Sequence, residues 1–268
     1  MKIRINPVVL VCALAVATTC VAGEFIPGHV YVTLRELEAC DFGGMEWIVE
    51  VDPATGETSI FADTVKDGIC RANGLTFTPD GSFLRLANWG HLWDGGWIHQ
   101  FDADGNATIV LDVRDGLAKP EGWNCVAYDT SDNLYIVNDY SSEILRFPAD
   151  GGPATVFADI TDGIIYRGAL AFAPNGDLFF TGESAEAIIR IPPDGESSVF
   201  DILSVETGEG FPHNLAFDTK GNLFAVTRSH IAPGNHLVYA IYRYDNAESH
   251  SRRLLAQGVL NPVISRQQ

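Results

Sequence analysis

Asn73, Glu121, Asn124, Asp139 and Glu183 are the residues of this chain whose types and positions best fit chemistry at one centre. Hard divalent cations take several oxygen ligands, and amide and carboxylate oxygens from separate segments supply them without any local motif. Asn73, Asn124, Glu121 and Glu183 are therefore the candidate metal ligands, with calcium first and magnesium, manganese or zinc as alternatives. Any one of them also fits a turn cap, in which a short polar side chain bonds nearby backbone. His213, His230 and His236 add imidazoles, which serve near neutral pH as general base or metal ligand. His213 and Asp139 are the candidate catalytic bases, and Arg167, Trp123 and His230 the candidate substrate contacts. Trp89, Trp93, Trp97 and Trp123 fit either an aromatic floor for a sugar or packing between sheets. The chain has no Gly-rich phosphate loop, HExxH, GxSxG or EF-hand loop, which disfavours nucleotide-dependent and serine-hydrolase chemistry.

A repeat must bring these scattered residues together. Four segments align: NGLTFTPDGSFLRLAN from Asn73, NCVAYDTSDNLYIVND from Asn124, GALAFAPNGDLFFTGE from Gly168 and HNLAFDTKGNLFAVTR from His213. Their equivalent apolar residues Leu75, Val126, Leu170 and Leu215 are spaced by 51, 44 and 45 residues. Each segment has two alternating apolar runs around a turn, Asp-Gly, Asn-Gly or Asp-Asn in the first three and Gly-Asn in the fourth, and a second hairpin follows it. Two hairpins in sequence make a four-stranded meander. A sheet of that size cannot bury both faces alone, so the copies are expected to stack around an axis as an all-β β-propeller.

The first unit reads as incomplete, with HVYVTL from His29 as its second strand and nothing innermost before it. GVLNPVIS from Gly258 reads as an innermost strand with nothing after it, so the two are expected to close the ring. This gives five blades as written, with a truncated six-bladed parent as the alternative. In such a ring, the loops entering the inner strands and those joining strands two and three open on one face. Arg71, Asn73, Glu121, Trp123, Asn124, Arg167 and His213 fall in the first set, and Asn88, Asn138, Asp139, Glu183, Arg228, His230 and His236 in the second. Function gathers on loops that a rigid scaffold carries, so this face is the expected site of a small-molecule ligand or substrate.

Of the 268 residues, 46% are hydrophobic, enough for a large core, and 35 acidic against 17 basic residues give a net charge of −18. A field of that sign repels phosphate backbones and anionic lipid, so nucleic acid is not an expected partner. Residues 1–22 have a basic start, an apolar run from Val8 to Ala17, and small residues ending Cys20-Val21-Ala22. This is the form of a secretory signal peptide cut after Ala22, leaving residues 23–268 as the propeller domain, secreted or periplasmic and not inserted in a membrane. Losing Lys2 and Arg4 with it would take the net charge from −18 to about −20. Three cysteines then remain, Cys40, Cys70 and Cys125, and an oxidising compartment permits one bridge. Cys40 and Cys70 fall on the same face at adjacent edges of one blade and are the expected pair; three unbridged thiols are the alternative.

RANGLTFTPDGSFLRLAN resembles the P-N-G-L-A-x-S-P-D-G-x-x-L-Y-x-x-D stretch of the gluconolactonase (regucalcin) family of six-bladed propellers. The repeats from about Gly28 to Ala256 are also similar to NHL-type and virginiamycin B lyase-like propellers, above all in GALAFAPNGDLFFTGESAEAIIRIPPDG. The first resemblance implies metal-dependent hydrolysis of a sugar lactone or ester, with Asn73 as a ligand of the catalytic metal. It also implies a second ligand in PEGWNCVAYD, where Asn124 stands at the family's Asp and Glu121 lies three residues earlier. An asparagine there can coordinate through its carbonyl but cannot act as the base. The lyase-like resemblance implies a magnesium-dependent His and Glu pair, for which His213 with Glu183 or His230 is nearest. The NHL-type resemblance implies a propeller that binds a ligand or a protein without transforming it.

Overall fold

The computed structural model describes residues 9–16, 25–26, 29–36, 46–52, 55, 57–69, 72–88, 97–112, 123–138, 143–160, 169–182, 186–204, 210–217, 220–231, 236–246 and 250–260. These residues form twenty strands and no helix. Blade one holds β1 (Val9–Val16), β2 (Val30–Glu36), β3 (Glu46–Val51) and β4 (Thr58–Asp63). Blade two holds β5 (Ala72–Phe77), β6 (Leu84–Asn88), β7 (Trp97–Phe101) and β8 (Ala107–Asp112). Blade three holds β9 (Trp123–Tyr128), β10 (Leu134–Asn138), β11 (Glu143–Phe147) and β12 (Thr155–Asp159). Blade four holds β13 (Ala169–Phe172), β14 (Leu178–Gly182), β15 (Ala187–Ile191) and β16 (Ser198–Ile202), and blade five β17 (Phe211–Phe217), β18 (Leu223–Ile231), β19 (His236–Tyr244) and β20 (Arg252–Leu260). Every sheet is an antiparallel meander in chain order, and the inner strands touch in the cycle β1, β5, β9, β13, β17 and back to β1. The architecture is a closed β-propeller.

Blade four shows how the sequence dictates this. The turn after β13 is Asn175-Gly176, where Gly176 takes φ 90° and its N–H donates to the Ala173 carbonyl at 2.9 Å. A positive φ costs glycine little, so the tight turn fixes the pairing of Ala169 with Thr181 through Phe172 with Leu178. β14 is buried along its whole length, while in β16 at the rim only Phe200 is buried. The equivalent turn of blade three has no glycine, and Asp132 takes the positive φ of 60° instead.

Consecutive blades are joined by aromatic side chains. Tyr31 on β2 meets Phe61 and Phe77 with ring centroids 5.2 and 5.5 Å apart. Tyr135 on β10 meets Phe157 and Phe172 at 5.0 and 4.8 Å, and Phe179 on β14 meets Phe200 and Phe217 at 5.1 Å each. Edge-to-face packing of this kind adds to the area buried and fixes the angle between sheets.

The ring closes differently from the sequence expectation. The inner place of blade one is taken by β1, from the apolar run expected to be a leader, with Val9 beside Glu36 and Val16 beside Val30. Gly258 to Leu260 instead end β20, where Leu260 pairs with Leu237, and residues 261–268 lie outside the described ones. The physical reason is the open inner edge of β2, whose backbone donors and acceptors need a partner. A short β-branched apolar run satisfies that edge as well as it satisfies a signal sequence.

His99 on β7 is only 6% exposed, and among the described residues its Nε2 has no hydrogen-bond partner. Burial pushes its pKa from 6.5 down to about 4. The unfolded imidazole therefore takes a proton near pH 6.5 and the folded one only near pH 4, so stability is full above 6.5 and falls as the pH drops between the two. The expected loss from this group is about 3 kcal/mol by pH 4. Urea unfolding at pH 7 and pH 4.5 should show His99→Leu with a flatter pH dependence than the wild type; an unaltered pH dependence would contradict the assignment.

Candidate functional site

Four of the five inner strands carry a shared irregularity toward their channel-face ends. In β5 the pairing jumps from Ala72 opposite Asn88 to Gly74 opposite Ala87, which leaves Asn73 as the extra residue. In β17 it jumps from Pro212 opposite Thr227 to Asn214 opposite Val226, leaving His213. In β9, Asn124 and Cys125 together oppose Val137, between the pairs Trp123 with Asn138 and Val126 with Ile136. Such β-bulges sharpen the local twist and re-aim a side chain, and they are common beside functional sites. Asn73, Asn124 and His213 thus occupy one register position in three inner strands of one ring, the position at which the repeats align in sequence. β1 has a bulge at the corresponding level, between Val11 and Ala13.

Blade five gathers buried polar groups around that level. His213 and Arg228 are 9% exposed, Asn214 7% and Thr227 1%, and Phe211 and Pro212 pair with Arg228 and Thr227. Gly210 makes the entry possible. Its φ is 83°, its N–H donates to the Ser204 carbonyl at 3.2 Å, and a Cβ there would lie 2.7 Å from the Arg228 carbonyl oxygen. Only glycine suits both the conformation and the close approach. Asn214 and Arg228 are channel-face residues to which the sequence reading gave no role. The signal for Asn214 was a polar residue in a column holding Gly74, Cys125 and Ala169 in the other repeats.

Three positions expected in the loop between the second and third strands of blade five are strand positions. Arg228 and His230 lie in β18 and His236 in β19, because this hairpin continues to the pair Ile231 with His236. Trp123 is the first residue of β9, opposite Asn138 at that face. Glu121, Asp139, Arg167, Glu183, Cys40 and Cys70 lie outside the described residues; Cys125 is buried at 3% exposure.

The conspicuous acids of the opposite face hold turns. Asp129 accepts from the Ser131 and Asn133 backbone N–H groups at 2.8 and 3.0 Å, from Asn133 Nδ2 at 2.7 Å and from the Tyr135 hydroxyl at 3.0 Å. Burial alone would raise its pKa, but the hydrogen bonds from Asn133, Ser131 and Tyr135 hold it below the ordinary carboxylate range. Asp102 does the same for Asn106 and Asp104, and Asp177 is bonded by Arg190 Nε at 2.6 Å. These carboxylates have their partners within or beside the turns they hold.

No family model matches the chain, and no curated protein matches it. Solved structures do. A chain of the nidogen/laminin complex superposes with a TM-score of 0.60 at 16% identity, over 94% of this chain and 80% of that one. A gluconolactonase from Xanthomonas campestris gives 0.54 at 15% identity, over 87% and 72%. Regucalcin from Agrobacterium tumefaciens, a calcium-binding protein, gives 0.53 at 18% identity, over 83% and 90%. At such identities the likeness is one of fold: this chain is built as a β-propeller of the kind shared by gluconolactonase, regucalcin and nidogen.

Proposed function

We propose that the channel mouth binds a divalent cation, calcium first, and that the chain is an exported hydrolase of sugar lactones or related esters. The observation that carries this reading is the common bulge register of Asn73, Asn124 and His213 on three inner strands. The donor chemistry fits a hard ion: two amide oxygens at equivalent positions, with the carboxylates of Glu121 and Glu183 in the segments that enter or leave the same face. Two of the structures similar in fold are, by name, a gluconolactonase and a calcium-binding protein.

Asn73, Asn124, Glu121 and Glu183 would hold the cation, which when bound polarises a substrate carbonyl. Arg167, Trp123 and His230 bind the sugar body. His213, with Asp139 as the second candidate, takes the proton from a water whose oxygen attacks the carbonyl carbon. The ring C–O bond then breaks, the leaving oxygen takes that proton back, and the product is the open hydroxy acid. A panel of sugar lactones followed with a pH indicator tests the reading: hydrolysis abolished by chelator and restored by calcium supports it. Absence of hydrolysis across the panel would leave a propeller that binds without transforming.

Export carries a structural consequence. Cleavage after Ala22 would remove β1 and reopen the inner edge of β2. β20 ends at Leu260 on the face where inner strands begin, so the chain after Leu260 is the segment we propose to close the exported form. N-terminal sequencing of protein recovered outside the cytoplasm should begin at Gly23; recovery starting at Met1 would contradict cleavage.

A further inference from the structure

The junction between blades two and three breaks the packing rule of its neighbours. At the junctions of blades one and two, three and four, and four and five the second residue of strand two is Tyr31, Tyr135 or Phe179, and the facing residue of strand four is Phe61, Phe157 or Phe200. Here those two places hold Arg85 and Val110, while the end of the next inner strand keeps its aromatic residue, Tyr128. Two rings are missing, and a cavity of about 530 Å³ opens there, lined by Arg85, Val110, Leu111, Tyr128, Phe83 and Phe147 among others. Its rim is made by the turns after β5, β9 and β11, so it lies on the face opposite the channel mouth.

The groups in this gap are complementary to one class of ligand. The Arg85 guanidinium carbon stands 5.9 Å from the centre of the Tyr128 ring, a cation–π placement that holds the arginine toward the cavity. A carboxylate matches the geometry of a guanidinium better than any neutral group. The walls beside it are apolar, and the volume lies within the range of small-molecule sites. Exposed Asp80 and Asp132 at the rim oppose a ligand with more than one negative charge.

We infer that the gap between blades two and three binds a small planar aromatic monocarboxylate, its ring standing where the neighbouring junctions place a phenylalanine and its carboxylate on Arg85. This site does not depend on the lactonase reading.

Calorimetric titration of the full chain with benzoate tests the inference, with benzyl alcohol as the neutral control. The expected result is saturable binding of benzoate, weakened at least about tenfold for benzyl alcohol and for Arg85→Gln. Val110→Phe, which restores the ring its siblings carry, should weaken benzoate by a similar factor while the protein melts no lower than the wild type. Because Val110→Phe fills a cavity, retained melting separates lost binding from lost fold. The inference is overturned by no saturable binding of benzoate up to about 10 mM, or by affinity that either variant leaves unchanged.

Discussion

Phe179→Ala is expected to lower the free energy of unfolding by about 3–5 kcal/mol, the range for deleting a fully buried phenylalanine. Phe179 is 0% exposed and is the ring on which blades four and five meet, touching Phe200 within its own blade and Phe217 in the next. The alanine removes both edge-to-face contacts and leaves a cavity between two sheets that cannot collapse without tilting a blade. Chain length sets the thermal consequence at a fall of roughly 10 °C in Tm. The contrast with the Arg85 junction sharpens the test, because that junction already lacks the equivalent ring and Arg85→Ala should cost far less. Denaturant unfolding of both variants checks this; a Phe179→Ala loss below about 1 kcal/mol would mean the aromatic triads do not hold the ring together.

His213→Asn should reduce kcat on a lactone substrate by about 10²- to 10⁴-fold, the usual contribution of a positioned general base. The residue stands in a bulge, is 9% exposed, and lies among Asn214, Thr227 and Arg228, so its ring is held by the fold rather than by solvent. Asparagine keeps a polar, hydrogen-bonding side chain there, so calcium affinity and melting should change little while turnover falls. An unchanged kcat would move the base to Asp139 or remove the enzymatic reading of this face.

Much of the fold was legible because its determinants are local. Asp-Gly and Asn-Gly pairs recur between alternating apolar runs, and the structure places Gly81, Gly105, Gly151, Gly176 and Gly195 at positive φ in those turns. The column that begins the repeats, Asn73, Asn124 and His213, proved to be a column in space, because strand pairing converts equal register into equal height in the ring. What could not be read depended on pairing partners distant in sequence. The run Val9–Val16 suits a leader or an inner strand equally by composition, and only the free edge of β2 distinguishes them. The extension of β18 and β19 past Arg228 looked like a loop because Arg228, Ser229 and His230 lack the apolar alternation that marks the other strands. The gap beside Arg85 was written in the sequence as LRLAN against LYIVN and LFFTG, but its meaning required knowing that this column packs between blades.

The central claim is a cation site built from the inner-strand bulges at the channel mouth. Its most direct test is calorimetric titration of chelator-stripped protein with calcium, then magnesium, manganese and zinc, on the wild type and on Asn73→Ala. The account predicts saturable binding of one ion, calcium first, at micromolar affinity, with that binding lost in Asn73→Ala while the melting temperature holds. No binding of any of the four ions, or calcium binding that Asn73→Ala leaves intact, would contradict it.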